Sequence, residues 1–175
     1  MAYHPDAFVA ALNAEAWDVT GSDNADRIAP SVYLALGGSD AIAGLGGNDQ
    51  IAGGLGRDLM SGGGDDDLLF GIGGADRLSG GGAADRLVGG AGDDRLDGGV
   101  GKDVLTDGAG ADVFRFATGE GADRITDFED GIDHLFLATG YDLVEKAGGT
   151  LIRYDAGTIF LVGISLAHVN ADDFI

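Results

Sequence analysis

Cysteine is absent from the 175 residues, and proline occurs only twice. The absence of cysteine excludes disulfide bonds, thiol catalysis and thiolate metal sites. No apolar run approaches the roughly 20 residues of a membrane span, so we expect no stable membrane insertion. Residues 1–17 also lack the basic start and the uninterrupted apolar core of a cleaved signal peptide, because Asp6 and Glu15 interrupt them. If the chain leaves the cell, we expect it to use another route.

Basic residues are scarce as well. Lys and Arg number 10 against 30 Asp and Glu, which gives a formal charge of −20. Such a chain is a poor partner for nucleic acid or anionic lipid and is suited to binding cations instead. Glycine, with 34 residues, is far above its usual share of about 7%. An acidic disordered chain is the alternative, but the apolar residues are too many and too regularly placed for it.

The middle of the chain repeats with a period of nine residues. Each repeat follows the pattern G-G-x-G-x-D-x-U-x, where U is a large apolar residue, and its positions are numbered here from one to nine. Residues 89–97 show the full pattern. Aspartate fills position six in nine successive repeats: Asp40, Asp49, Asp58, Asp67, Asp76, Asp85, Asp94, Asp103 and Asp112. An apolar residue follows at position eight: Ile42, Ile51, Met60, Leu69, Leu78, Leu87, Leu96, Leu105 and Phe114.

This spacing predicts an all-β fold. Six residues rich in glycine form a turn, because glycine adopts positive φ without a Cβ clash. The next three residues alternate sides as a short strand, with U pointing to one side. A turn and a strand make half a coil, so two successive repeats close one coil. Stacked coils then form two parallel sheets with the U side chains between them, which is a parallel β-roll, or right-handed β-solenoid.

The stacked coils bring the aspartates together along two edges. One edge carries Asp40, Asp58, Asp76, Asp94 and Asp112, and the other carries Asp49, Asp67, Asp85 and Asp103. Their carboxylates repel one another unless a cation lies between successive turns. Carboxylate and carbonyl oxygens are the ligands that Ca²⁺ prefers, whereas Mg²⁺ demands a tighter octahedron. Four gaps on one edge and three on the other predict up to seven Ca²⁺ sites. The alternative is that the aspartates form only Asx-turns, which nine repeats in phase disfavour.

The nonapeptide resembles the hemolysin-type RTX (repeat-in-toxin) family of calcium-binding β-roll proteins. The resemblance covers residues 35–115. It implies that the aspartates bind Ca²⁺ together with backbone carbonyls, from positions two and four of one turn and from positions one and three of the turn two repeats later. The glycines so implied are Gly38, Gly47, Gly53, Gly54, Gly56, Gly62, Gly63, Gly64, Gly71, Gly73, Gly74, Gly80, Gly81, Gly82, Gly89, Gly90, Gly92 and Gly98.

Several turns depart from the pattern. Position four is Asp65 in one repeat and Ala83 in another, and aspartate tolerates positive φ better than alanine does. We therefore expect strain and a weak site at Ala83. Position two is apolar at Leu36, Leu45 and Ile72, where a backbone carbonyl is still available as a ligand.

We expect three regions: an N-terminal cap of residues 1–34, the roll of residues 35–115, and a β-rich C-terminal cap of residues 116–175. Within the first, residues 6–17 are predicted to form a short amphipathic helix that covers the apolar end of the solenoid. Asp107 replaces glycine at position one of the last repeat, which predicts that the roll ends there.

Both flanks carry further patterns. Residues 21–28 resemble a degenerate repeat, but the spacing from Asp26 to Asp40 is not a multiple of the period, so this segment is out of phase. Downstream, residues 124–128 and 134–137 are predicted strands, and residues 150–154 and 158–162 a hairpin. This region is similar to the C-terminal segments of RTX proteins that a type I secretion exporter recognises through an uncleaved signal.

No enzyme motif is present. The three histidines, His4, His134 and His168, form no H-E-x-x-H, and the segment around Ser165 lacks the second glycine of a nucleophile elbow. The stretch before the roll is too short for a catalytic domain, so we predict no enzyme activity. A glycan-directed activity on the solenoid surface is left open.

The sequence therefore predicts a secreted, extracellular calcium-binding protein that folds on binding Ca²⁺ outside the cell. We expect transient contact with the exporter and an extracellular structural or binding role, with a protein or glycan as partner. The alternative is an accessory module or subunit of a larger secreted enzyme or adhesin.

Overall fold

A computed structural model describes residues 18–20, 27–28, 37–117, 121–137, 140–155 and 157–175. The predicted helix of residues 6–17 and most of the degenerate repeat lie outside the described residues. The described residues form 17 strands: β1 Asp18–Thr20, β2 Arg27–Ile28, β3 Gly37–Gly38, β4 Ala41–Gly46, β5 Gln50–Gly56, β6 Leu59–Gly64, β7 Leu68–Gly73, β8 Arg77–Ala83, β9 Arg86–Ala91, β10 Arg95–Gly101, β11 Val104–Ala109, β12 Val113–Phe116, β13 Gly121–Ile125, β14 His134–Leu137, β15 Tyr141–Lys146, β16 Gly149–Tyr154 and β17 Gly157–Val162. Two short 3₁₀ turns follow, Leu166–His168 and Ala171–Asp173.

The strands form two parallel sheets, here called the first and second walls, as the period predicts. The first wall contains β1, β4, β6, β8, β10, β12 and β14 in that order. The second wall contains β2, β5, β7, β9, β11, β13 and β17. Inside the repeats, register partners lie two repeats apart, as in Ile42 with Met60 and Ile51 with Leu69. The predicted all-β parallel solenoid is therefore confirmed.

The strands are longer than the predicted three residues. Strands β4 to β11 are six or seven residues long because the glycine-rich turns also stack in register and are counted within them. Leu45 pairs with Gly63 and Gly46 with Gly64, for example. The turns are thus part of the ladder, and each coil is fixed to the next along most of its length.

The parallel stack extends beyond residues 35–115 at both ends. Upstream, Val19 pairs with Ile42 and Ile28 with Ile51, so a coil longer than two repeats precedes the regular ones. Downstream, β13 stacks on β11 and β14 stacks on β12, again through coils longer than two repeats. The expectation that Asp107 marks the end of the roll was wrong, because the longer coils absorb the extra residues without breaking strand pairing.

Three antiparallel strands close the C-terminal end. β15 pairs with β16, and β16 pairs with β17, which returns to the second wall beside β13. The β16–β17 hairpin was predicted from the sequence. On the first wall, Leu135 bridges Phe174, and the Phe174 ring stacks on Tyr141 at 3.9 Å. The last described residues thereby cover the end of the roll.

A single column of apolar side chains runs between the walls. All nine position-eight residues, from Ile42 to Phe114, are at most 6% exposed, which confirms them as the core. At the C-terminal end the column widens into Phe116, Ile125 and Leu135, with Ile152 and Ile159 from the hairpin. The described part of the chain contains no helix with the length and apolar character of a membrane span.

Among the described residues, four other than glycine adopt positive φ, all at positions two or four. They are Leu45 at 83°, Asp65 at 70°, Ile72 at 84° and Ala83 at 80°. Alanine at position four is therefore strained, as expected. Ile72 has a larger conformational penalty than Ala83, because a β-branched side chain at positive φ is a genuine outlier.

We predict that Ile72→Gly and Ala83→Gly each raise the free energy of unfolding by about 1 kcal/mol, because glycine removes the left-handed penalty. Ile72 is 51% exposed, so little burial is lost with it. Urea denaturation in saturating Ca²⁺ measures the change. The matched control is Ala91→Gly, at position three with φ outside the positive region, which should destabilise by about 0.5–1 kcal/mol. Destabilisation by Ile72→Gly equal to that by Ala91→Gly would contradict the strain argument.

Candidate metal centre

Each repeat aspartate is bonded to the aspartate one coil away. The backbone N–H of Asp58 donates to Oδ1 of Asp76 at 2.8 Å, and the N–H of Asp76 donates to Oδ1 of Asp94 at 2.8 Å. The same bond joins Asp40 to Asp58 and Asp94 to Asp112. We call this run the first ladder; the second ladder joins Asp49, Asp67, Asp85 and Asp103 in the same way. The two predicted edges of aspartates are therefore present.

Both ladders continue past the strict repeats. The N–H of Asp103 donates to Oδ1 of Asp123 at 3.0 Å, and that of Asp112 to Oδ1 of Asp133 at 3.0 Å. Sequence reasoning missed Asp123 and Asp133 because their spacings are 20 and 21 residues, longer than the 18 residues within the repeats. A signal was available, since each is followed two residues later by a buried apolar residue, Ile125 or Leu135, as in the repeats.

The second carboxylate oxygen of these aspartates faces the interior of the turn. In seven of them Oδ2 is buried and accepts no hydrogen bond from the described residues: Asp58, Asp67, Asp76, Asp85, Asp94, Asp103 and Asp112. These residues are at most 3% exposed. A buried carboxylate oxygen without a donor is costly, so each of these atoms marks a place where a positive charge would be stabilised.

The glycine at position one fixes the shape of this place. A Cβ added to Gly71 would lie 2.5 Å from Oδ2 of Asp76 and 2.4 Å from the carbonyl oxygen of Gly89, one coil away. The turn at Gly80 has the same arrangement, with Asp85 Oδ2 at 2.3 Å and the Gly98 carbonyl at 2.6 Å. A carboxylate oxygen and a carbonyl oxygen therefore converge on one point, which only glycine leaves free.

Carbonyl oxygens from neighbouring turns face the same gap. A Cβ on Gly92, at position four, would lie 1.8 Å from the Gly74 carbonyl oxygen, so the position-four carbonyl points toward the following coil. The position-two carbonyl of Ile72 points the same way, toward Gly90. Carbonyls at positions one and three point back, as those of Gly89 and Ala91 do toward Gly71 and Gly74.

The predicted glycines fall into four groups by turn position. Position one holds Gly53, Gly62, Gly71, Gly80, Gly89 and Gly98; position two holds Gly54, Gly63, Gly81 and Gly90; position three holds Gly64, Gly73 and Gly82; and position four holds Gly38, Gly47, Gly56, Gly74 and Gly92. Gly44, at position one beside Asp49, was not among the predicted residues and belongs to the first group.

Burial raises the pKa of the ladder carboxyls. The pKa of Asp85 and of Asp94 rises to about 7, and that of Asp76 and of Asp112 to about 6. Neighbouring carboxylates of the same ladder raise these pKa values further, and the backbone N–H bonds oppose the change only in part. The folded roll therefore holds its carboxylates in an environment that disfavours their charge unless a cation is bound.

The repeat segment matches a known family over more than half of the chain. Residues 35–69, 70–105 and 93–125 match the RTX calcium-binding nonapeptide repeat. The chain belongs to the RTX calcium-binding repeat family. The β-roll described above is thus an RTX calcium-binding repeat domain.

Two solved structures resemble the RTX roll. The extracellular lipase LipA from Serratia marcescens is 18% identical with a TM-score of 0.44, over 90% of this chain and 40% of the lipase. The AlgE6R3 subunit from the Azotobacter vinelandii mannuronan C5-epimerase is 25% identical with a TM-score of 0.41, over 88% of this chain and 80% of that subunit. The chain thus spans less than half of the lipase. No curated protein matches the chain.

We predict that acidification partly replaces Ca²⁺. The carboxyl pKa values are raised in the folded roll, so their contribution to stability is present below their unfolded pKa near 3.8 and is lost as pH rises through the folded values of about 6 to 7. In excess chelator, far-UV circular dichroism should show more β-structure at about pH 5 than at about pH 8. A calcium-free chain whose β-signal grows as the pH rises would contradict this sign.

Proposed function

We propose that this chain is a secreted calcium-binding RTX protein that folds when Ca²⁺ binds outside the cell. The ladder aspartates and the turn carbonyls of positions one to four act as ligands. Five gaps along the first ladder and four along the second, counting Asp123 and Asp133, give up to nine sites instead of the seven expected from the strict repeats. The observation that carries the proposal is the row of buried Oδ2 atoms, from Asp58 to Asp112, that accept no hydrogen bond from the described residues.

The donor set favours Ca²⁺ over other cations. Every candidate ligand is a carboxylate or carbonyl oxygen, which suits a hard cation, and the chain contains no cysteine for a softer metal. Ca²⁺ accepts six to eight oxygens in flexible geometry, whereas Mg²⁺ retains its waters and requires a near-ideal octahedron. When bound, Ca²⁺ would neutralise the carboxylates of adjacent coils and satisfy the oxygens that the hydrogen bonds leave free.

Calcium-dependent folding also suits export through a type I exporter. At low intracellular calcium, the repulsion within a chain of charge −20 opposes folding, so the chain stays extended enough to be threaded. Outside the cell, calcium at about 10⁻⁴–10⁻³ M is in the range that extracellular sites bind. Folding there would oppose return of the chain through the exporter, because the free energy of Ca²⁺ binding stabilises the folded state.

The first test is a calcium titration of the purified chain. Starting from excess chelator near neutral pH, far-UV circular dichroism should show a cooperative gain of β-structure with Ca²⁺ and none with equal Mg²⁺. The reason is that the apolar column supplies one buried side chain per repeat and cannot alone offset the entropy of ordering so many glycines. A roll that is fully formed in chelator would remove the folding switch from the proposal.

A second test uses the order of the ladder. Asp76→Asn and Asp94→Asn should each remove about two bound ions, because each residue borders two gaps. The double variant should remove about three instead of four, since the two residues share a gap and their effects are not additive. Asparagine can still accept the N–H bond through Oδ1, so the strand pairing is retained.

Equilibrium dialysis with Ca²⁺ measures this stoichiometry. The control pair, Asp76→Asn with Asp85→Asn, lies on different ladders and should remove about four ions. Asp130→Asn, an exposed acidic residue, should remove none. Equal losses in the two double variants would contradict ligation by ladder order.

An accessory role in a larger secreted enzyme or adhesin is the second candidate. The observation in its favour is a groove of about 500 Å³ along the first wall, lined in part by Leu59, Val113, Phe136 and Ile175. Leu59 and Ile175 are more than half exposed, as a surface that receives a partner would be. An activity that appears only when the calcium-loaded chain is mixed with a partner protein would favour this function.

A further inference from the structure

Three buried carboxylates meet where the strict repeats give way to the longer coils. Asp107 belongs to β11, Asp112 is the last aspartate of the strict first ladder, and Asp133 precedes β14. Ligand-capable oxygens of the three lie within 4.8 Å of one another. Each residue is at most 1% exposed. Asp107 and Asp133 were not among the residues predicted to bind metal.

Asp107 makes this turn chemically different from the others. It occupies position one, where the described turns upstream have glycine: Gly44, Gly53, Gly62, Gly71, Gly80, Gly89 and Gly98. In those turns an added Cβ would lie 2.1–2.5 Å from Oδ2 of the same turn's aspartate. At Asp107 a whole carboxylate extends from the position where the other turns have no side chain. The cluster therefore contains one more negative charge than a repeat gap.

The hydrogen bonds leave two oxygens of this cluster without a donor. Oδ1 of Asp107 and Oδ2 of Asp112 are buried and accept no hydrogen bond from the described residues. The two oxygens of Asp133 accept the N–H groups of Asp112 at 3.0 Å and Glu129 at 2.7 Å, which fixes that carboxylate in place. Asp127 lies alongside, held by the N–H groups of Asp107 and Gly108, both at 3.1 Å.

No Lys or Arg side chain forms an ion pair with this cluster within the described part of the chain. The salt bridge found there joins Arg115 to Asp97 and does not involve the cluster. Three carboxylates with oxygens within 4.8 Å of one another repel strongly in a buried setting, where the effective dielectric is low. The two oxygens without donors and the missing counter-charge both indicate a bound cation.

We propose that Asp107 joins Asp112 and Asp133 in the last gap of the first ladder, and that the Ca²⁺ site so formed binds more tightly than the repeat sites and fills at a lower calcium concentration. Three carboxylate ligands give it a higher charge count than a gap with two aspartates, and charge count is a main determinant of calcium affinity. The site would fasten the last strict repeat to the coil that carries Asp133. It rests on the proposed calcium binding of the roll but does not depend on the number of repeat sites.

The test compares Asp107→Asn and Asp107→Gly with the wild-type chain by calorimetric Ca²⁺ titration from trace calcium. The wild-type chain should show a tight step of one ion before the repeat sites fill. Both variants should weaken that step by roughly tenfold or more, the scale on which ligand charge changes calcium affinity. Asp107→Gly restores the residue of the other turns, so it keeps the test valid if the asparagine variant fails to fold. Asp142→Asn, exposed on β15, is the charge-matched control and should leave the step unchanged.

Hydrogen exchange shows which residues bind the first Ca²⁺ ion. The amides of Gly108 and Glu129, which donate to Asp127 and Asp133, should become protected at the first equivalent of Ca²⁺ in the wild-type chain and not in the variants. An unchanged tight step in both variants overturns the site, and so does a tight step that protects amides elsewhere. If wild type binds Ca²⁺ with no separate tight step, the site is wrong and the proposed function stands. If wild type binds no Ca²⁺, the proposed function fails too.

Discussion

The bond from the backbone N–H of one aspartate to Oδ1 of the aspartate one coil away is the interaction on which the rest of the roll depends. It uses one oxygen of each carboxylate to set the coil spacing and turns the other toward the glycine of position one. The same side chain therefore connects two coils and leaves a charged atom buried between them. The stability of the stack and its need for a cation have one origin, because the geometry that orders the coils also buries Oδ2 atoms, from Asp58 to Asp112, that accept no hydrogen bond from the described residues.

The turn positions that hold glycine tolerate few other residues. At position one the limit is steric, since a Cβ would contact Oδ2 and the carbonyl of the next coil. At positions two and four it is conformational, since most of the described turns adopt positive φ there. Residues other than glycine are more common at positions two and four than at position one. Four of them adopt the strained backbone there: Leu45, Asp65, Ile72 and Ala83. The one described departure at position one, Asp107, introduces a carboxylate and changes the chemistry of the turn.

The regular part of this structure could be predicted from the sequence because one period specifies turn, strand and ladder together. The core residues, the two rows of aspartates and the coil of two repeats all follow from it. The longer coils could not be predicted in this way, since nothing in a nine-residue period shows how strands re-enter register after an insertion. Asp123 and Asp133 were missed for that reason, although each has the apolar residue two positions later. The continuation of the stack past Asp107 was not predicted either, because a lost glycine predicts the end of the repeats.

Cation binding in such a stack is expected to spread from coil to coil. Each coil contacts only its neighbours, so the order of one turn depends on the turns before and after it. An aspartate in the middle of a ladder borders two gaps and bonds to both adjacent aspartates, so fixing it for one cation also fixes a ligand of the next. The entropy of ordering a glycine-rich turn is thus lost largely with the first cation that it binds. A site with an additional carboxylate, placed where the strict repeats meet the longer coils, would bind while its neighbours are still empty and would lower the cost of the turns stacked on it.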